Sequence, residues 1–318
     1  MTEDEVIRFL ERFLPSAPGL VQGPGDDCAV VDLGDRWWLL TADAMVEGVH
    51  FSLSYFTPYF LGRKLAAVNL SDVAAMGGQP RFALLTLAFP APPEEDFLRD
   101  FLEGLTSKLA AYGAHLVGGD TVKGPALQGD LALIGEAAAG AVVFRQGARP
   151  GDLIFVSRPL GASAMALELF QKGEDPPEPL KRAHLDPEPE VELGRVLAEE
   201  ALASAMLDVS DGLLKDLSRL CCASGVGAEV EEEAVPLAVD ELPGLSRPLR
   251  DYALFGGEDF ALLFTVPREK ERALRSRLAS LSRKPHRLGR IVPGEKLLLR
   301  RADGAAEEVS PEGFDHFA

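Results

Sequence analysis

Short apolar runs alternate with helix-patterned segments along this chain, and several of the runs lead into an aspartate. Trp37–Ala42 reads as a strand and is followed by Asp43. Leu116–Val117 leads into Gly118-Gly119-Asp120-Thr121, and Met206–Val209 is a strand carrying Asp208. Further strands are expected at residues 29–32, 82–89, 131–138, 153–157, 260–266, 286–292 and 296–300. Helical spacing marks residues 3–14, 61–76 and 268–282, the segments beginning near Pro92, Ala162 and Val191, and Asp211–Ala223. Because the two patterns alternate irregularly, the expected class is α+β, with each domain a mixed sheet layered with helices.

The 318 residues leave room for about two domains. The turn cluster Arg149-Pro150-Gly151-Asp152 is the best division, giving residues 1–149 and 150–318. Five prolines between 174 and 190 suggest an exposed loop. The formal charge of −18 disfavours a nucleic-acid surface or an anionic membrane as partner. No stretch approaches the ~20 apolar residues of a spanning helix, and the acidic N-terminus lacks the basic start of a secretory signal. Cys28, Cys221 and Cys222 cannot build a disulfide framework. A cytoplasmic protein is expected.

The chemistry rests on acids. Asp27 lies in a Gly-rich loop, Asp72 in a helix, and Asp208-Val-Ser-Asp211-Gly212 joins a strand to a helix with Asp211 at the N-cap. That spacing can aim two carboxylates at one point before a helix N-terminus, a natural place for phosphate and its cation. Mg²⁺ takes hard oxygen ligands, commonly one or two carboxylates completed by phosphate and water. Each aspartate taken singly is also a routine cap or turn residue, and spacing alone does not prove that they converge. There is no Gly-x-x-x-x-Gly-Lys-Ser/Thr loop and no paired ligand spacing among the five histidines, which read as surface or packing residues apart from His50.

Several segments, in order, resemble the thiamine-monophosphate kinase family. They are Gly25-Asp26-Asp27-Cys28, Thr41-Ala-Asp43 through His50-Phe51, Lys64 through Asn69 and Asp72 to Gly77, Gly118-Gly-Asp120-Thr121, Leu207 to Leu213, Gly256-Gly-Glu258-Asp259-Phe260 and Gly313-Phe314-Asp315-His316-Phe317. The resemblance runs from about residue 22 to the C-terminus. It implies a two-domain PurM-like fold, a homodimer through the N-terminal domains, and ATP-dependent phosphorylation of thiamine monophosphate. It further implies Asp27, Thr41, Asp43, Asp72, Asp120, Asp208 and Asp211 as ligands of several Mg²⁺ ions, with Asp27, Asp43, Asp120, Asp208 and Asp211 central to catalysis. By the same resemblance Gly119, Asp120, Arg145, Ser210 and Tyr112 correspond to nucleotide contacts, and His50, Glu258 and Phe314 to the residues that face the thiamine phosphate. One departure is Ala42, where the family usually has Ser or Thr before Asp43.

Physical chemistry agrees with that expectation. Two phosphate anions must meet on a chain of charge −18, which requires bridging cations. A phosphate monoester is a competent nucleophile near neutral pH, so direct transfer is expected without a phosphoenzyme. The alternatives are an aminoimidazole-ribotide synthetase type of enzyme, or a silent module that binds Mg²⁺ and nucleotide without turnover. Phe314 is expected to stack on a thiamine ring, with Glu258 supplying negative charge or a hydrogen-bond acceptor.

Overall fold

Two groups of alternating apolar strands form two separate sheets. The computed structural model describes residues 3–14, 16–310 and 313. After helix α1 (Glu3–Glu11), the first sheet contains β1 (Leu20–Gln22), β2 (Ala29–Asp32), β3 (Arg36–Val46), β4 (Gln79–Phe89), β5 (His115–Lys123) and β6 (Gln128–Ala138). Its order is β1-β2-β3-β6-β4-β5, with only β4 and β5 parallel. Ala83, Leu85, Leu87 and Phe89 of β4 point inward, whereas Phe82 and Leu84 are exposed on the other face. Helices α2 (Pro58–Ala75) and α3 (Glu95–Ala111) supply the apolar partners of the inner face.

The second sheet contains β7 (Leu153–Val156), β8 (Ala205–Asp208), β9 (Gly227–Glu231), β10 (Leu262–Val266), β11 (His286–Val292), β12 (Leu297–Arg300) and β13 (Ala306–Glu308). Its order is β13-β12-β9-β11-β7-β10-β8. Every residue of β7, β8 and β10 is buried. Helices α7 (Leu213–Ser224) and α8 (Leu249–Phe255) contribute to the core on one face. The other face packs on α6 (Val191–Glu199) and α9 (Glu271–Ser280). Strands covered twice read as continuous apolar runs rather than alternating ones.

Helix α2 joins the two cores. It is buried nearly all round, as expected of a helix with apolar residues on every side. A Cβ on Gly62 would stand 2.1 Å from the Phe101 carbonyl oxygen, and one on Gly194 would stand 2.0 Å from that of Ala74. Glycine therefore permits α2 to touch α3 on one side and α6 on the other.

Several expectations need correction. Helix α2 starts at Pro58, three residues before the expected 61, with Thr57 as N-cap and Pro58 in the first turn. Asp43 lies inside β3 and Asp120 inside β5, not at strand ends, because antiparallel pairing with β6 carries β3 on to Val46 and parallel pairing with β4 carries β5 on to Lys123. The Pro-rich stretch is not simply an exposed loop: α4 (Ala162–Gln171) is followed by α5 (Glu178–Leu185), with Leu180, His184 and Leu185 buried. Pro179 sits in the first turn of α5, where a missing N–H does no harm. Among the described residues, no helix is long and apolar enough to cross a membrane.

Candidate active site

A cleft of about 1500 Å³ opens between the first sheet, α4 and the β8–α7 connection. One end is acidic. Asp27, Asp43, Asp72, Asp208 and Asp211 all line it. Asp43 and Thr41 lie on the inner face of β3, toward α2. There Thr41 Oγ1 donates to Asp72, and the Asp43 N–H donates to Asn69 Oδ1 at 3.0 Å. Asn69, the only asparagine, is itself held by donating to the Leu65 carbonyl at 3.0 Å. Ser71 of α2 donates to Asp208 at the end of β8, which ties the second sheet to the first domain's helix. Arg145 holds Asp27 at 2.7 Å through its guanidinium, and its backbone N–H donates to Asp26.

The crowding shows in the protonation energetics. Burial, then the charges of Asp43, Asp208 and Asp27, pushes the Asp72 carboxyl well above its usual range. Burial and the charge of Asp27 do the same to Asp208, against the pull of Ser71. Asp26 is pushed up to about 7 by burial and by Asp27 beside it. Asp27 Oδ2 is buried without a hydrogen-bond partner. Among the described residues, no three carboxylate, histidine or cysteine side chains already enclose an ion. The donor set nevertheless suits Mg²⁺: hard oxygens, one of them orphaned, in a group whose mutual repulsion a cation relieves, with phosphate and water left to complete the shell.

Asp211 does not cap α7. Gly212 is the N-cap residue, and Asp216 Oδ2 accepts from the N–H groups of Asp211 at 3.0 Å and Gly212 at 3.1 Å. The Asp211 carboxylate instead pairs with Lys215 at 3.1 Å and Arg219 at 2.7 Å on the cleft wall. Ser210 lies between the two aspartates and also lines the cleft.

The opposite end of the cleft is aromatic. Tyr55 and Phe170 stack with ring centroids 4.6 Å apart, and His50, Val49 and Leu167 share that wall. His50 Nδ1 accepts from the Val46 N–H at 3.0 Å. Glu258 faces the cleft, paired through Oε1 with the fully buried Lys64 at 2.9 Å. Burial would raise the Glu258 carboxyl, but the Lys64 ammonium beside it outweighs burial and holds it below the ordinary value.

Other sequence candidates lie elsewhere. Thr86 of β4 pairs with both Asp120 and Asp130, which puts Asp120 on the sheet's outer face, whereas Asp43 pairs with the buried Leu131. Gly119 and Asp120 are exposed on the edge strand β5, and neither lines the cleft. Tyr112 closes α3 and donates its hydroxyl to Glu188, also away from the cleft. Phe314 is outside the described residues. Gly313 is within them and packs on the helix start, where a Cβ would be 2.6 Å from the Asp211 carbonyl oxygen.

Sequence reasoning overlooked Lys64 and His184. Lys64 left a signal, being a charged residue among the apolar ones of a mostly apolar helix. His184 left only the helical spacing Leu180–His184 within a stretch read as loop.

Residues 25–142 match the model of the AIR synthase related protein N-terminal domain, and residues 149–300 match its C-terminal domain. Thiamine-monophosphate kinase of Bacillus subtilis is 35% identical over 93% of this chain and 93% of its own. That of Salmonella typhimurium is 36% identical over 98% and 97%. The chain belongs to the thiamine-monophosphate kinase family. The structure of AaThiL complexed with AMPPCP and TMP superimposes with a TM-score of 0.87 at 34% identity, covering 99% of this chain and 97% of that one. The two-domain PurM-like architecture is thus confirmed. Hydrogenase maturation protein HypE, at 18% identity and a TM-score of 0.70, shares the fold.

Proposed function

We propose that this chain transfers the γ-phosphoryl group of ATP to the phosphate of thiamine monophosphate, giving thiamine diphosphate and ADP. The observation that carries the reading is one cleft with an acidic end and an aromatic end. A substrate with a phosphate at one end and flat rings at the other fits that polarity. The relatives named thiamine-monophosphate kinase, and AaThiL with AMPPCP and TMP, support the same assignment.

Asp27, Asp43, Asp72, Asp208 and Asp211, with Thr41 behind Asp72, would hold Mg²⁺; bound there, the metal neutralises phosphate charge as a Lewis acid. Arg145 and Ser210 hold phosphate oxygens of the nucleotide. His50, Glu258 and the aromatic wall orient thiamine monophosphate, and Phe314 is assigned to its ring. Transfer is direct and in line, because the acceptor phosphate is already ionised and no side chain has to become phosphorylated.

The active species is a cytoplasmic homodimer joined through the N-terminal domain, residues 1–149, with residues 150–318 forming the second domain. Trp38, Leu40, Phe82 and Leu84 are exposed on the outer face of the first sheet, where Ile134 pairs with both Leu40 and Phe82. Such a face suits a second copy. Gly119 and Asp120, at its edge, then enter a site by way of that contact. Phe82→Glu combined with Leu84→Lys should yield monomers in sedimentation, and a monomeric wild type would contradict the dimer.

The decisive assay couples ADP release to a panel of phosphate acceptors, with product identified chromatographically. Turnover is expected with thiamine monophosphate and Mg²⁺, and little with free thiamine, whose alcohol is a poorer nucleophile. Full activity in excess chelator, or equal rates with thiamine, would defeat the proposal.

A further inference from the structure

His184 lies beneath the aromatic end of the cleft, brought there by α5. Its ring is buried among Tyr55, Phe56 and Phe170, with centroids 5.9, 5.6 and 5.8 Å away. Nδ1 is 2.9 Å from Ser163 Oγ and 3.4 Å from Glu258 Oε2. Burial and the nearby Lys64 push His184 down to about 3, so the imidazole is neutral and carries one N–H. Nε2 is buried with no partner, which puts the proton on Nδ1, the nitrogen that faces acceptors.

Glu258 is therefore backed on both oxygens, by the Lys64 ammonium 2.9 Å from Oε1 and by His184 Nδ1 3.4 Å from Oε2, with the His184 hydrogen bond itself shared with Ser163. Its backbone is also special: φ is +63°, a left-handed conformation costly for a residue with a side chain. The Glu258 N–H donates to the Ser210 carbonyl at 2.7 Å, which fixes that conformation against the nucleotide side of the cleft. A carboxylate has about four acceptor sites. Lys64 occupies one, His184 stands behind another, and the 28% of the side chain still exposed faces the cleft.

We infer that His184, with Lys64 and Ser163, is a positioning residue that holds Glu258 with its free lone pairs toward the cleft, where Glu258 reads the exocyclic amino group of the substrate's aminopyrimidine. This rests on thiamine monophosphate being the substrate. A carboxylate free to rotate would accept many donors or water; one fixed from behind discriminates by direction, and rejects a ring that lacks the donor because its own acceptor is then left unpaired.

The test compares thiamine monophosphate with an analogue bearing methyl in place of the ring amino group. For wild type, the analogue should raise KM about ten-fold or more, the scale of a hydrogen bond to a charged group. In His184→Phe, which keeps ring volume but loses the N–H, that ratio should fall toward one, with KM for ATP within about two-fold of wild type. His184→Asn, which can restore a donor near the Nδ1 position, should recover part of the discrimination. Should the phenylalanine variant not fold, Ser163→Ala with the same pair of substrates carries the test. Retained discrimination in a variant that merely melts earlier overturns the inference, as does a wild type indifferent to the amino group. No turnover of thiamine monophosphate by wild type would defeat the substrate assignment itself, a separate and recognisable failure.

Discussion

Carboxylates at the two ends of the cleft differ in what balances their charge. Glu258 has its own cation, Lys64, built into α2 and wholly buried. Asp72 and Asp208 have mainly hydroxyls, Thr41 and Ser71, and one another's repulsion. The difference teaches how the site divides its work. Where a fixed acceptor must orient a ring, the fold carries the counter-charge internally. Where phosphates must be bridged, the fold leaves negative charge unbalanced for a cation that arrives with the substrate.

Removing the internal cation should have the largest effect. Lys64→Met leaves a mostly buried carboxylate without its partner, and the loss of stability should be about 3–5 kcal/mol, read by denaturant unfolding. Adding Glu258→Gln to that variant should recover part of the loss. A single variant as stable as wild type would erase the contrast between the two ends.

At the acidic end the expectation reverses. Asp208→Asn or Asp211→Asn should lower turnover by at least ~10²-fold, while melting without Mg²⁺ stays near wild type, or rises for Asp208→Asn as repulsion falls. Asn caps a helix about as well as Asp, and here Gly212 is the cap residue in any case. Near-normal kinetics in both variants would return these residues to a purely structural role.

The same contrast predicts ligand linkage. Saturating Mg²⁺ should raise the melting temperature of wild type, by an amount equivalent to ~2–3 kcal/mol at a hundred times its dissociation constant, and do so much less for Asp208→Asn. An equal shift in both would place the metal elsewhere.

The smallest effect concerns Asp259, beside Glu258 but turned away from the cleft. Its carboxylate accepts from the Gly161 N–H at 2.7 Å at the start of α4. Burial pushes it up from 3.8 to about 7, against the backbone hydrogen bonds that favour its charge. The unfolded carboxyl ionises first as pH rises, so wild type loses stability relative to Asp259→Asn between about pH 4 and 7. The variant should therefore compare better with wild type at pH 8 than at pH 5. A difference of the opposite sign would mean that the carboxylate is charged and welcome there.

Much of the fold was legible because its signals are local. Alternation along Ala83, Leu85, Leu87 and Phe89 marks a strand with one buried face, and Gly77 with φ +75° ends α2 where the sequence suggested. Proline misled at 174–190, since five prolines speak of turns while Leu180 and His184 still fit one buried helical face. Asp211 misled as a cap, because which residue receives the first N–H groups of α7 depends on where Asp216 reaches back.

The sequence by itself determined the order of most strands and helices, the presence of several acids beside glycine and serine, and the family motifs that name the chemistry. Those follow from periodicity, turn propensity and residue type, which act over a few positions. Only the tertiary structure decided that Asp43 faces α2 while Asp120 faces out, and that Ser71 meets Asp208 across 137 positions. It alone placed Lys64 and His184 behind Glu258. Strand register, helix packing and burial fix such meetings, and each depends on parts of the chain that local patterning cannot bring together.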